Sequence, residues 1–238
     1  MKIALIGYGK MGNMLEQTAL KRGHEIVSKI DLNNIDDFSS PEFRSANVAL
    51  EFTAPTVAEQ NIRAAWAQNV KVVSGTTGWA NGLQALQNEL KSNGKTLFWA
   101  SNFSLGVNIF LEINRYLAKI MNDFNQYDLS IEETHHLEKK DAPSGTAITL
   151  AESILSQIDR KKSWELSPEK KSQNIEITAI RSPNVAGIHT VKYESFEDII
   201  TLTHNAKSRE GFALGAVLAA EFLENKNGFF SMKDLLKF

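Results

Sequence analysis

Ile3-Ala4-Leu5-Ile6-Gly7-Tyr8-Gly9-Lys10-Met11-Gly12 is the stretch on which the reading of the fold turns. Its first four residues are a short apolar run, the pattern of a strand buried in a parallel sheet. Gly-x-Gly-x-x-Gly follows, and Leu15, Ala19 and Leu20 then recur at helical spacing. Strand, glycine turn and helix in this order are the context in which the hexamer binds a dinucleotide. The glycines permit the tight turn, the approach of backbone to a pyrophosphate, and close packing of helix on strand. Gly7, Gly9 and Gly12 are therefore candidate cofactor residues. The same turn in an α/β protein that binds nothing is the plainer alternative.

The strand–helix alternation continues outward from there. Glu25–Ile30 reads as a second strand, and Asp31 ends it about 20 residues past the glycines, where an acid binds the adenosine ribose. An acid here favours NAD, whereas Lys10 and Lys29 are the groups that could answer a 2′-phosphate; Asp31 also reads as a turn or helix cap. Residues 32–46 read as loop and short helix around Ile35, Phe38 and Phe43. Val48–Phe52 is a strand ending in Thr53-Ala54-Pro55, and a helix runs from about Val57 to Gln68. Val70–Val73 is a strand that ends in Ser74-Gly75-Thr76-Thr77-Gly78, a small-residue loop at the carboxyl end of a parallel strand, where such folds bind ligands. Gln84–Leu90 reads as helix, and Thr96–Ala100 as a strand followed by Ser101-Asn102-Phe103-Ser104. The alternation over 1–104 predicts a doubly wound, Rossmann-like parallel sheet.

Beyond Leu105 the pattern changes. A helix over about 106–122 and a strand over Tyr127–Thr134 lead into Glu133-Thr134-His135-His136-Leu137-Glu138-Lys139-Lys140-Asp141-Ala142-Pro143-Ser144-Gly145-Thr146-Ala147. The apolar run after it reads as a helix, with Asp141 or Ser144 as its cap and Pro143 near its first turn. A first turn exposes unpaired N–H groups and partial positive charge. Gly145 and Thr146 thus offer donors to an anion, with His136 and Lys139 just upstream, so the stretch predicts a pocket for a small carboxylate with proton-transfer groups at its edge. A solvated loop is the bland alternative. No metal is expected, because adjacent histidines point apart on a strand and no cysteine completes a site.

Lys161–Gln173 is lysine-rich and reads as a mobile solvated loop. Ile175–Arg181, Ile188–Glu194 and Ile199–His204 alternate as strands, which predicts a second α+β domain on a mixed or antiparallel sheet. The last long helix, from about Phe212 to Leu223, is predicted to return to the first domain, and Ser231–Leu236 to form a short helix. The division expected is 1–104 with 209–238 for dinucleotide binding, and 105–208 for substrate binding and oligomerisation.

The 238 residues carry a formal net charge of -2 and no cysteine, so no basic field draws the chain to nucleic acid or membrane, and disulfide and thiol chemistry are excluded. There is no run of 18 apolar residues, and no signal peptide is read at Met1-Lys2. A cytoplasmic location is expected.

Taken together, the pieces resemble the 4-hydroxy-tetrahydrodipicolinate reductase (dihydrodipicolinate reductase) family along nearly the whole chain. The most specific part is Glu133-x-His135-His136-x-x-Lys139-x-Asp141-Ala142-Pro143-Ser144-Gly145-Thr146-Ala147. Supporting it are the glycine hexamer, Gly75-Thr76-Thr77-Gly78, Asn102-Phe103-Ser104-x-Gly106-Val107-Asn108, Gly187-x-His189-Thr190-Val191, and His204-x-Ala206-x-Ser208-Arg209. The resemblance implies reduction of a cyclic dicarboxylate by NADH and/or NADPH in lysine and diaminopimelate synthesis. It implies His135 as general acid/base and Lys139 as proton donor, with His136, Lys139, Ser144, Gly145 and Thr146 at the substrate. Gly7, Lys10, Met11, Asp31, Gly75, Thr76, Thr77, Ser101, Asn102 and Phe103 match cofactor-contacting positions. It also implies hinges near Ser104 and Arg209, and a homotetramer built through the second domain's sheet. Many members place Arg after the ribose-binding acid where this chain has Leu32, and Arg181-Ser182-Pro183 stands where the family has Arg-x-Gly. The rival readings are another Rossmann oxidoreductase, such as an aspartate or diaminopimelate dehydrogenase, and a nucleotide sensor without catalysis.

Overall fold

The computed structural model describes residues 1–168 and 173–238. The chain begins β1 (Lys2–Ile6), α1 (Lys10–Lys21), β2 (Glu25–Ile30), a 3₁₀ turn at Ile35–Ser39, α2 (Pro41–Arg44), β3 (Val48–Glu51), α3 (Ala58–Ala67), β4 (Lys71–Ser74), α4 (Ala80–Asn93) and β5 (Thr96–Trp99). It continues with α5 (Leu105–Met121), β6 (Asp128–His135), α6 (Gly145–Leu155), β7 (Ser163–Leu166), β8 (Asn174–Arg181), β9 (Gly187–Glu194) and β10 (Ile199–Ala206). Then come α7 (Glu210–Phe222), β11 (Gly228–Phe230) and α8 (Met232–Leu236). Two compact units result: Met1–Leu105 with Glu210–Phe238, and Gly106–Arg209.

In the first unit the strand order is β11-β5-β4-β3-β1-β2, every pairing parallel. Alternation sends Ile3 and Leu5 to one face, against α1, α7 and α8, and Ala4 and Ile6 to the other, against α2, α3 and α4. Burial on both faces is why these strands are apolar without a break. The small residues of α7 serve close approach, since a Cβ at Gly215 would overlap the Phe103 carbonyl. From β1 the chain moves to β2 on one side and then to β3 on the other. The topological switch therefore lies between β1 and β3, where open α/β sheets bind ligands at the carboxyl ends.

The second unit has the order β10-β9-β6-β8-β7, with β6–β8 and β7–β8 parallel and β6–β9 and β9–β10 antiparallel. The sheet is mixed, and β8 and β9 flank β6 instead of forming a hairpin. Leu129, Ile131, Ile177, Val191 and Tyr193 face α5 and α6 across one core. Ser130, Glu132, Thr134, Thr190 and Lys192 occupy the alternate positions and remain half-buried or exposed.

Two stretches depart from the sequence reading. The lysine-rich segment expected to be a solvated loop contains edge strand β7, paired with β8. Lys161 at its start is buried and ion-paired to Asp128 at 2.7 Å; residues 169–172 of that segment lie outside the described residues. The second is β11, unforeseen because a strand of three residues has almost no periodicity to read.

Candidate active site

The glycine loop of the first unit divides its labour as the motif requires. Gly7 turns at φ +91°, and a Cβ there would overlap the Phe52 carbonyl; one at Gly12 would overlap the Gly7 carbonyl. A Cβ at Gly9 would have no neighbour within 4 Å, which leaves room for a ligand. Gly9 caps α1, whose first turn carries no acid and begins with exposed Lys10 and half-buried Met11. A cavity of about 690 Å³ opens beside the loop, bordered by Tyr8, Asp31, Leu32, Thr53 and Val57. Among the described residues its walls include two acids, Asp31 and Asp36, and no lysine or arginine. Open glycine backbone, a positive helix terminus and an acid at the end of β2 fit a dinucleotide.

Asp31 is exposed, and its Oδ1 accepts the Leu32 N–H at 2.8 Å. Lys29 is engaged elsewhere: it pairs with Glu16 at 2.6 Å, donates to the Tyr8 hydroxyl at 3.0 Å, and lies over the Tyr8 ring. Glu16 is held below the usual carboxylate range by Lys29 first and by the Tyr8 hydroxyl second.

At the ends of β4 and β5 the candidates behave differently from one another. Thr76 is buried, its hydroxyl donating to Glu51 at 2.8 Å and its carbonyl accepting from Trp79 Nε1 and Trp99 Nε1. A Cβ at Gly75 would overlap the Phe52 ring, while Thr77 is exposed. Ser101 is exposed, and Asn102 Oδ1 accepts the Ser104 N–H at 2.9 Å. The Phe103 side chain is core, packed against Phe52 and Phe98, which leaves its backbone as the part a ligand could reach.

In the second unit Ser144, not Asp141, caps α6: its Oγ accepts the Ala147 N–H at 3.2 Å, and its carbonyl accepts the Ile148 N–H. Among the described residues the N–H groups of Gly145 and Thr146 remain as the helix's open donors. A Cβ at Gly145 would meet nothing within 4 Å. Asp141 instead holds Lys139, whose Nζ lies 2.8 Å from each carboxylate oxygen, and this pairing pulls Asp141 below its ordinary range.

His135 and His136 part at the end of β6. His136 is half-buried, whereas His135 is buried on the inward face beside Glu133 and His189. Its Nδ1 lies 3.2 Å from Glu133 Oε2, close but off the line of a hydrogen bond, and its Nε2 borders Gly187. Burial pushes His135 below the ordinary histidine range and outweighs the opposite pull of Glu133, so the ring is neutral at neutral pH. His189 is pushed down to about 3, chiefly by burial, and its Nε2 lies 3.0 Å from Ser144 Oγ.

Glu133, fully buried, joins the site together. Its Oε1 accepts the Ser144 N–H at 3.1 Å and lies 3.4 Å from Arg181, which also donates to the Asp141 carbonyl at 2.7 Å. The ligand-type atoms of Glu133, His135 and His189 lie within 4.8 Å of one another, a spacing that could hold a metal ion. Arg181 already neutralises Glu133 and Ser144 engages His189, so the cluster reads as a hydrogen-bonded ionic network.

The sequence reading gave no role to Glu51, Glu133, Arg181 or His189. The available signal was a charged residue at a buried strand position: Glu51 closes Val48-Ala49-Leu50, and Glu133 continues the inward alternation of Leu129 and Ile131.

Comparison with known proteins covers nearly the whole chain. Residues 1–103 match the family model described as dihydrodipicolinate reductase, N-terminus, and residues 106–236 the one described as dihydrodipicolinate reductase, C-terminus. The 4-hydroxy-tetrahydrodipicolinate reductase of Christiangramia forsetii is 48% identical over 236 residues, covering 99% of this chain and 98% of that protein. The 4-hydroxy-tetrahydrodipicolinate reductase of Archaeoglobus fulgidus is 34% identical over 267 residues, covering 100% of both. Among solved structures, dipicolinate-bound dihydrodipicolinate reductase from Paenisporosarcina sp. TG-14 shares the fold, with a TM-score of 0.79 at 23% identity over 97% of each chain.

Proposed function

The chain belongs to the dihydrodipicolinate reductase family, and we propose on that premise how its residues divide the work. It is an NAD(P)H-dependent oxidoreductase that converts 4-hydroxy-tetrahydrodipicolinate to tetrahydrodipicolinate, with loss of water, in diaminopimelate and lysine synthesis. The observation that carries this reading is that both family models match in order over nearly the whole chain, the first over 1–103 and the second over 106–236.

The bound dinucleotide supplies the hydride. Gly7, Gly9 and Gly12 receive its pyrophosphate with Lys10 and Met11, and Asp31 binds the adenosine ribose. The loops at Gly75–Thr77 and Ser101–Phe103 take the nicotinamide end. The substrate's carboxylates are held by the N–H groups of Gly145 and Thr146 with His136, beside the Ser144 cap. Lys139 then donates a proton where hydride arrival at a conjugated imine leaves negative charge, and its ammonium stabilises that charge as it develops. To do so it exchanges its contact with Asp141 for the substrate. Neutral His135, steadied beside Glu133, is the acid/base partner for the loss of water.

NADH is the preferred donor. Among the described residues no lysine or arginine lines the cavity beside Asp31, Lys29 is committed to Glu16, and Leu32 is exposed where a cation would be needed for a 2′-phosphate. The working assembly is a homotetramer formed through the sheet face of the second unit away from α5 and α6, where β-branched Ile180 and Ile199 are exposed. Light scattering would give a fourfold mass, and a monomer would remove this reading.

The deciding experiment is oxidation of NADH and of NADPH, each at several concentrations, with freshly generated 4-hydroxy-tetrahydrodipicolinate. Turnover with a higher kcat/KM for NADH is the expected result. Folded protein that binds a dinucleotide but turns over neither would move the reading to a different substrate or to a sensor.

A further inference from the structure

Glu51 ends β3 on the switch side of the sheet and is 0% exposed. Among the described residues no cation pairs with it. Its carboxylate is satisfied by neutral donors alone. Oε1 accepts from the Thr53 N–H at 3.2 Å, from the Thr53 hydroxyl, and from the Thr76 hydroxyl at 2.8 Å; Oε2 accepts from Ser74 Oγ at 2.6 Å. The Thr53 N–H is shared with Thr76 Oγ1 at 2.9 Å, and Asn61 Nδ2 donates to the Thr53 hydroxyl at 3.2 Å. Phe52, the next residue, fills the space that Gly7 and Gly75 leave by having no Cβ. Glu51-Phe52-Thr53 therefore touches the loops that follow β1 and β4 as well as its own.

Packing does not ask for an acid here. Val48, Ala49 and Leu50 meet the needs of β3 with apolar groups, and a buried carboxylate without its donors costs several kcal/mol. What the acid adds is a fixed geometry between two loops. It draws the hydroxyls of Thr53 and Thr76 inward and ties the loop after β3 to the loop after β4.

We propose that Glu51 is a positioning residue for the cofactor, acting through Thr53 and Thr76 to hold the loops after β3 and β4 in their binding arrangement. The proposal rests on the reading of Gly75–Thr77 as cofactor-contacting. Its test is the dissociation constant of NADH, measured by fluorescence titration without substrate on the full-length protein. Melting temperature and both KM values are recorded beside it, for wild type, Glu51→Gln, Glu51→Asp and Ser74→Ala. Glu51→Gln should raise the NADH Kd and KM about tenfold while the substrate KM stays within about twofold, because the amide brings a donor to face donors. Glu51→Asp, which keeps the charge, should recover part of the loss. Ser74→Ala removes one donor of the four and should weaken NADH about threefold; it decides the matter if Glu51→Gln fails to fold. A lowered melting temperature with an unchanged NADH Kd would make Glu51 a structural anchor only and overturn the proposal. Wild-type protein that binds neither NADH nor NADPH would remove the underlying cofactor reading, and this proposal with it.

Discussion

Glu51 and Glu133 are the two acids buried to zero exposure among the described residues, one in each compact unit, and they are satisfied by opposite means. Glu51 is surrounded by three hydroxyls and a backbone N–H. Glu133 has Arg181 on one oxygen and two histidines near the other, with Lys139 and Asp141 tied in through Arg181. Neutral donors fix geometry without moving charge. A network of titratable groups can hold, give and take protons. The difference matches the proposed division of work, in which the first unit binds the cofactor and the second handles protons, although each has a buried carboxylate at its centre.

Variants can break that division. Lys139→Ala should have the largest effect, lowering kcat by about 10² to 10⁴, the span of a lost general acid, with the NADH Kd unchanged. Single-turnover kinetics beside NADH titration would check it, and near-wild-type turnover would take Lys139 out of the mechanism. Glu133→Gln should come next. It strips Arg181 of its anion and loosens the Ser144 N–H and His135 at once, for about 2–3 kcal/mol of stability and about a 30-fold loss in kcat. An NADH Kd that shifts as much as kcat would erase the distinction between the two carboxylates.

Much of this was open to a reader of the sequence. Gly7 to Gly12 after four apolar residues specified the first turn of the parallel sheet, because Gly7 and Gly12 answer steric demands that the structure shows. Ser144 and Asp141 could not be separated as caps from sequence alone; the competing partner was Lys139, which takes Asp141 for itself. Strand β7 was hidden because it has one neighbour, and a half-exposed edge strand need not be apolar. Arg181 was read only as the last residue of a strand, since nothing local announces a side chain that reaches Lys139 and Asp141, some 40 residues away in sequence. Glu51 and Glu133 left a trace, an acid where the strand pattern calls for an apolar residue. Their donors, drawn from other segments, did not.

Acid offers a smaller and more general test. His135 and His189 are buried and His204 half-buried in the second unit, and all three are pushed below the ordinary histidine range by desolvation. Unfolded histidines take up protons below about pH 6.5, while folded His189 stays neutral until about pH 3. The unfolded state therefore binds more protons between those values. Stability is complete above the ordinary pKa and is lost as pH falls, by up to about 1.4 kcal/mol per pH unit from His189. The groups facing His189 are Glu133, His135, His204 and the Ser144 hydroxyl. Hydrogen exchange at pH 7 and pH 5 should show β6, β9 and β10 losing protection before β1, β3 and β4, and equal losses would deny the second unit its special proton chemistry.

The smallest effect sharpens the other side of the comparison. If the first unit binds through geometry and neutral donors, the exposed acid at the mouth of its cavity should matter modestly and selectively. In the proposed reading Asp31 bonds ribose hydroxyls and repels a 2′-phosphate, with no cation among the described residues lining the cavity to offset it. Asp31→Ala should therefore weaken NADH about five- to tenfold, the worth of roughly 1 kcal/mol of hydrogen bonding, while NADPH is weakened less or even gains. The ratio of the two dissociation constants is the quantity to measure, because a folding defect would lower both affinities together and leave that ratio where it was. Equal losses would reduce Asp31 to what its bond with the Leu32 N–H already makes it, a turn cap. A shift in the ratio would place the choice of dinucleotide at the end of β2, apart from the Glu51 network that sets how firmly either is held.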